Sequence, residues 1–183
     1  MIRTFREHTP LVPDSAFISE MAYLVGDVTL GERTSVWPFC CLRGDFEPTT
    51  VGDETNVQEF TMLHGADIGS RVSIGHGVVV DEAIVGDETL IGISSAVLGD
   101  AVVGSNCIVA AGALVREGQE IPDGHIAYGV PAETQPLTDD HRELISWICD
   151  EYLGMMEQYK SHDGLAARDS SPTAPANHGG QSQ

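Results

Sequence analysis

One period dominates this sequence. From Val85 an aliphatic residue returns at every sixth position, as Val85, Ile91, Val97, Val103, Val109 and Val115. Glycine follows three of them, as Gly86, Gly92 and Gly104, and a small residue stands four positions after each of the first five (Thr89, Ser95, Ala101, Cys107, Ala113). The same spacing runs backwards through Ile68, Ile74 and Val80, through Val51, Val57 and Leu63, and through Leu24, Leu30, Val36 and Leu42. It breaks at Gly44 to Thr50, and slips by one residue before Ile68 and before Val85. A six-residue period fits neither an amphipathic helix of about 3.6 nor a half-buried strand of about 2 residues per repeat.

A hexapeptide repeat predicts a mainly β fold, a left-handed parallel β-helix. Three hexapeptides make one triangular coil of about 18 residues, with an aliphatic side chain turned inward on each side. Successive coils hydrogen-bond at about 4.8 Å, and only stacked neighbours bury a continuous core. Five to six coils are expected between Ala16 and Val115. Glycine is expected to relieve strain near the corners. Cys40 and Cys107 fall at the small position and read as core residues, whereas Cys41 and Cys149 are less constrained.

The remaining segments divide around this solenoid. Residues 1–15 precede it, 16–136 contain the repeats and their exit, 137–161 read as a helix, and 162–183 as a disordered tail rich in Ser, Ala, Gly and Pro. Thr138 is the expected helix cap, with Asp139 and Asp140 favourably placed in the first turn. Leu144, Ile148, Tyr152, Met155 and Tyr159 form the expected apolar stripe, lying along the solenoid or across a neighbouring subunit.

Charge excludes some partners. The 183 residues carry 28 Asp+Glu against 9 Lys+Arg, a net charge of −19. Such a surface repels phosphate backbones and anionic lipids, so neither nucleic acid nor a membrane is an expected partner. No apolar run is long enough to span a bilayer, and the first residues lack a signal-peptide core, so a cytoplasmic location with reduced thiols is expected. Lys160 is the one lysine. Acid-rich, lysine-poor composition suits concentrated salt, where counterions screen self-repulsion, and equally an acidic cytoplasmic protein from a GC-rich genome.

Two histidines interrupt the repeats themselves. His64 follows inward Leu63, and Asp81 follows inward Val80 seventeen residues later, which puts the pair on one face in adjacent coils. His76 lies two sides of the triangle from His64, so within one chain the packed interior separates them. In a three-fold homotrimer, His76 of one chain can meet His64 and Asp81 of the next. Two histidines and a carboxylate can hold a catalytic zinc with a position open for water. The alternative is a set of polar groups at a subunit interface. Arg43 and Asp45 flank Gly44 at the first break and read as a structural ion pair across an interface. Asn56 and Gln58 surround Val57, and the Gln58 amide can donate and accept, as orienting a metal-bound hydroxide requires. Trp37 reads as packing.

The order Ser35-Val36-Trp37-Pro38, Leu42-Arg43-Gly44-Asp45, Asn56-Val57-Gln58, Leu63-His64, Ile74-Gly75-His76-Gly77 and Gly129-Val130-Pro131-Ala132 resembles the γ-class carbonic anhydrases and their relatives. The resemblance covers roughly residues 10 to 160. It implies a trimer of left-handed β-helices, each ending in an α-helix. It further implies a divalent metal between subunits, zinc first and iron or cobalt as alternatives, and hydration of CO2 to bicarbonate by metal-bound hydroxide. His64 and His76 match two metal ligands, Arg43 and Asp45 the interface ion pair, Gln58 the hydroxide-orienting amide and Tyr128 an active-site tyrosine. Asn56 matches a residue near that site. Asp81 stands where the family has its third histidine, and Phe46 where one branch has an acid. Glu59 and Glu47 are acids that can substitute as proton shuttle. Two other functions remain open: a metal-binding homologue with weak or no hydratase activity, and a hexapeptide-repeat acyltransferase.

Overall fold

A computed structural model describes residues 1–162; the expected tail lies outside the described residues, apart from His162. The chain winds into a parallel β-solenoid of about seven coils, closed by one C-terminal helix. The inward aliphatic residues form three columns. Ile18, Val36, Val57, Ile74, Ile91, Val109 and Ala127 stack on one face. Leu24, Leu42, Leu63, Val80, Val97 and Val115 stack on the second. Leu30, Val51, Ile68, Val85, Val103 and Ile121 stack on the third. All are buried in one continuous core with Cys40 and Cys107. The solenoid continues past Val115 through Ile121 and Ala127, each six residues on, so it exceeds the five to six coils expected up to Val115. Ile2–Arg3 pairs with Leu24–Val25, and Glu133–Pro136 turns back antiparallel on His125–Tyr128.

The break at Gly44 to Thr50 is a corner insertion. Cys41–Val51 continues from the second face to the third, and the register against Tyr23–Leu30 jumps at Gly26/Val28, leaving Phe46, Glu47 and Pro48 exposed.

The glycines that follow inward aliphatic residues work differently from the expectation. A Cβ on Gly86 would lie 2.6 Å from the Ser105 side chain and 2.7 Å from its backbone nitrogen, so close approach of the next coil requires glycine there. The strained left-handed corner residues come two positions later and include Glu54, Arg71, Glu88 and Asn106. Their conformation costs about 1 kcal/mol each. It is offset because each turns its N–H onto a carbonyl of the preceding coil: Glu32, Asp53, Ser70 and Asp87 respectively. Part of the acidity is also structural at this corner. Asp53, Asp87 and Asp123 each accept a backbone N–H of the coil before, from Glu32, Ser70 and Ser105.

The helix, Asp139–Ser161, begins at Thr138, whose hydroxyl accepts from the His141 N–H while the His141 ring accepts from the Thr138 N–H. It lies along the first face of its own solenoid. Its buried stripe is Ile145, Cys149 and Met156, one residue out of phase with the expected one; Leu144, Met155 and Tyr159 are partly exposed. Two aromatic residues of the solenoid decide the phase. Met156 packs with Phe17 and Trp37, and the Trp37 ring takes Tyr152 and Tyr159 edge-on at centroid distances of 5.6 and 4.9 Å. Cys149 is therefore core. Arg71 fastens the seam, bonding Glu54 at 2.9 Å and Asp150 at 3.0 Å.

Candidate metal centre

The site residues fall into two groups on different faces. The first group is a ladder across three adjacent coils. Because Leu42, Leu63 and Val80 point inward, Arg43, His64 and Asp81 must point outward, and the register sets them directly above one another. His64 Nδ1 and Asp81 Oδ1 form a hydrogen bond of 2.7 Å. Asp45 faces the other ring nitrogen: its Oδ1 is 3.2 Å from His64 Nε2. Both of these atoms are buried and neither has a hydrogen bond.

Arg43 donates to Asp45 Oδ2 at 2.7 Å. That hydrogen bond holds the Asp45 carboxyl below the usual carboxylate range, and the Arg43 guanidinium correspondingly higher than usual. The pair forms within one chain, because residues two apart on a strand share a side. Phe46, on the corner insertion, meets the His64 ring edge-on at 6.0 Å.

The second group lies where the first face turns towards the second. Asn56 and Gln58 are buried outward-pointing residues, and their amides form a chain: Gln58 Nε2 donates to Asn56 Oδ1 at 3.0 Å, and Asn56 Nδ2 to Ser73 Oγ at 2.8 Å. Ser73, missed in the sequence, stands seventeen residues after Asn56, the same one-coil offset that relates Asp81 to His64. His76 sits one coil above Glu59, and its Nδ1 is 2.8 Å from Glu59 Oε2. That oxygen is buried without an aligned hydrogen bond. Around His76 the corner is exposed and apolar. Phe60 is 66% exposed, Ile93 52% and Phe39 49%, the two phenyl rings stacking at 5.1 Å.

Among the described residues of one chain, no three His, Cys, Asp or Glu side chains converge on a metal position. His64 with Asp81 and His76 with Glu59 are thus two halves. Tyr128 joins neither: it continues the column of Gln58, Gly75, Gly92 and Ala110, four coils and about 19 Å from Gln58 at the usual strand spacing.

A metal fits the first half on one observation. With the His64 proton on Nδ1, towards Asp81, the Nε2 lone pair faces a carboxylate oxygen at 3.2 Å with no hydrogen between them. Two buried acceptors in that position call for a cation or a donor. A separate apolar groove of about 400 Å³ runs between the solenoid and the helix, walled by Leu90, Ile108, Ile148 and Tyr152 and ending at Gln58; neither histidine lines it.

Residues 82–117 match the family model "Bacterial transferase hexapeptide (six repeats)". The chain is 44% identical over 166 residues to the uncharacterized transferase YtoA of Bacillus subtilis, an alignment covering 87% of this chain and 97% of that protein. It is 32% identical to the mitochondrial gamma carbonic anhydrase 2 of Arabidopsis thaliana over 86% of this chain, which spans 61% of that longer protein. A solved hexapeptide transferase family protein from Anaplasma phagocytophilum superposes with a TM-score of 0.84 at 30% identity, covering 86% of this chain and 97% of that one. The N-acyltransferase AntD of Bacillus cereus, with a TM-score of 0.65 at 20% identity, shares the fold alone. From the repeats, the two histidine-bearing coils and these relatives together, the chain belongs to the γ-carbonic-anhydrase-like family of hexapeptide-repeat proteins.

Proposed function

We infer that this protein is a homotrimeric metalloprotein of the γ-carbonic-anhydrase type, hydrating CO2 at a site completed between subunits. The observation that carries this reading is the division of the polar residues into two half-sites, each with one histidine. His64 supplies a buried nitrogen without a hydrogen bond, and His76 stands on an exposed apolar corner suited to a neighbouring chain. Hexapeptide-repeat β-helix proteins commonly form trimers, and three-fold closure repeats the same contact three times.

A divalent metal, zinc first, would be held by His64 and the neighbour's His76, with the Asp81 carboxylate beside His64; when bound it supplies Lewis acidity and lowers the pKa of water. The chain's own residues do the positioning. Asn56, fixed by Ser73, holds the Gln58 amide in one orientation, leaving Gln58 Oε1 to accept a hydrogen bond from the O–H of a nucleophile. Arg43 keeps Asp45 ionised beside His64 and adds a positive charge where an anionic product forms. Phe46 covers one edge of the imidazole.

The contact of Asp81 with Nδ1 of His64 favours a second reading, a metal-binding homologue of low hydratase activity. Acyl transfer in the apolar groove would need a base from a neighbouring chain, since the residues of one chain that line it include neither a histidine nor a carboxylate. Protein purified without chelators, analysed for metal and assayed for CO2 hydration, separates these. About one metal per chain with hydration supports the first reading. Metal without hydration, with activity gained in Asp81→His, supports the second. Wild type and Asp81→His both devoid of metal would sink both.

A further inference from the structure

Each half-site histidine meets a carboxylate at the same ring nitrogen. His64 Nδ1 lies 2.7 Å from Asp81 Oδ1, one coil above, and His76 Nδ1 lies 2.8 Å from Glu59 Oε2, one coil below. The two pairs are on different faces and share no residue, and they differ in kind: His64 and Asp81 form a hydrogen bond, whereas Glu59 Oε2 has no aligned one. Neutral imidazole carries one proton, and a carboxylate at Nδ1 fixes it there and directs the Nε2 lone pair outward. Histidine ligands commonly donate their second nitrogen to a carboxylate in this way, which orients the ring and raises its basicity.

We propose that Asp81 is a positioning residue, holding His64 by Nδ1 for metal binding through Nε2, and that it is not the third metal ligand. This deepens the proposed function and rests on it for the identity of the bound group. Its structural part stands on the chain alone. The Asp81 side chain extends from the same register position as His64, and its Oδ1 is engaged by the ring. Asp45 is the other carboxylate at this imidazole, but its Oδ1 is out of hydrogen-bond alignment with Nε2, and Arg43 holds its second oxygen. The metal would then have two protein nitrogens and more open positions than a three-histidine site, an arrangement distinct from that of a simple His-to-Asp ligand exchange.

The amide variant discriminates, since an amide oxygen still accepts from Nδ1–H but is a poor metal ligand. Two measurements are made on the full chain. The first is nitrogen-15 NMR of the metal-free histidines at pH 8. The proposal expects the Nδ1–H tautomer for His64 in wild type and Asp81→Asn, and its loss in Asp81→Ala. An Nε2–H tautomer in wild type would overturn it. The second is cobalt(II) titration followed by visible absorption. Asp81→Ala should weaken cobalt binding about 10- to 100-fold. Asp81→Asn should weaken it several-fold less, with the band shape of wild type kept. If Asp81→Asn loses cobalt as fully as Asp81→Ala, or alters the spectrum, Asp81 is a ligand and the proposal is wrong. If wild type binds no cobalt, the metal reading fails, and the NMR result alone decides the positioning of His64.

Discussion

Arg43 and Asp45 stand two residues apart on one strand, and Nη2 of the first meets Oδ2 of the second at 2.7 Å. The Asp45 carboxyl is held below the usual range by that bond, so its folded pKa lies below the unfolded value of about 3.9. Stability from the pair is therefore present above that unfolded value and is lost as pH falls through the folded one. Arg43→Met should cost about 1 kcal/mol at neutral pH. Urea denaturation of both proteins at one chain concentration measures it, and the gap should close as Asp45 protonates in strong acid. A gap unchanged in acid would assign the loss to packing of the arginine stem.

Glycine after the inward aliphatic residue is a spacing requirement, which makes a sharp prediction. A Cβ on Gly92 would lie 2.6 Å from the Ala111 backbone nitrogen and 2.7 Å from the Val109 carbonyl oxygen. Backbone cannot move aside as a side chain can. Gly92→Ala should lower stability by about 1–3 kcal/mol, whereas Gly99→Ala, with nothing within 4 Å of the added atom, should be nearly neutral. Thermal melts of the two variants compare them directly; equal melting temperatures would contradict the account.

The thiols should respond as core groups. Burial pushes the Cys40 thiol up to about 12 and raises those of Cys41, Cys107 and Cys149 as well, but Cys41 alone of the four is partly exposed. At pH 8 the three buried thiols remain protonated and unreactive. Alkylation followed by peptide mass mapping should label Cys41 first and the other three only on unfolding. Rapid native labelling of Cys149 would show that the helix does not seal its seam.

Phe60 and Ile93 flank His76 on the exposed corner. A subunit seated there removes both from water, at about 25 cal/mol for each Å² of apolar surface. Phe60→Asp and Ile93→Asp should therefore dissociate the assembly in sedimentation velocity while leaving the far-ultraviolet circular dichroism of the monomer unchanged. A persistent three-chain species would place the interface elsewhere.

Much of this was readable from the six-residue period. Inward columns follow from counting, and so does the pairing of His64 with Asp81, because seventeen residues is one coil. The same count links Asn56 with Ser73. Side-chain reach was not readable: period and register set Asp81 beside His64 but not the ring nitrogen it meets. The helix stripe came out one residue off, since Leu144 and Ile148 are as apolar as Ile145, and only the position of Trp37 and Phe17 on the solenoid selects between the two faces. Tyr128 directly follows Ala127, which is on the same period twelve residues after Val115, so its height four coils above Gln58 is also a matter of counting.

In the proposed assembly one metal site needs two chains, and subunit mixing tests this most directly. His64→Ala and His76→Ala homotrimers should each bind no zinc. Mixed by refolding in equal amounts, they should regain about a quarter of the wild-type zinc, the fraction of interfaces pairing an intact His64 with a neighbour's intact His76. Zinc bound by either variant alone, or no recovery in the mixture, would contradict the account.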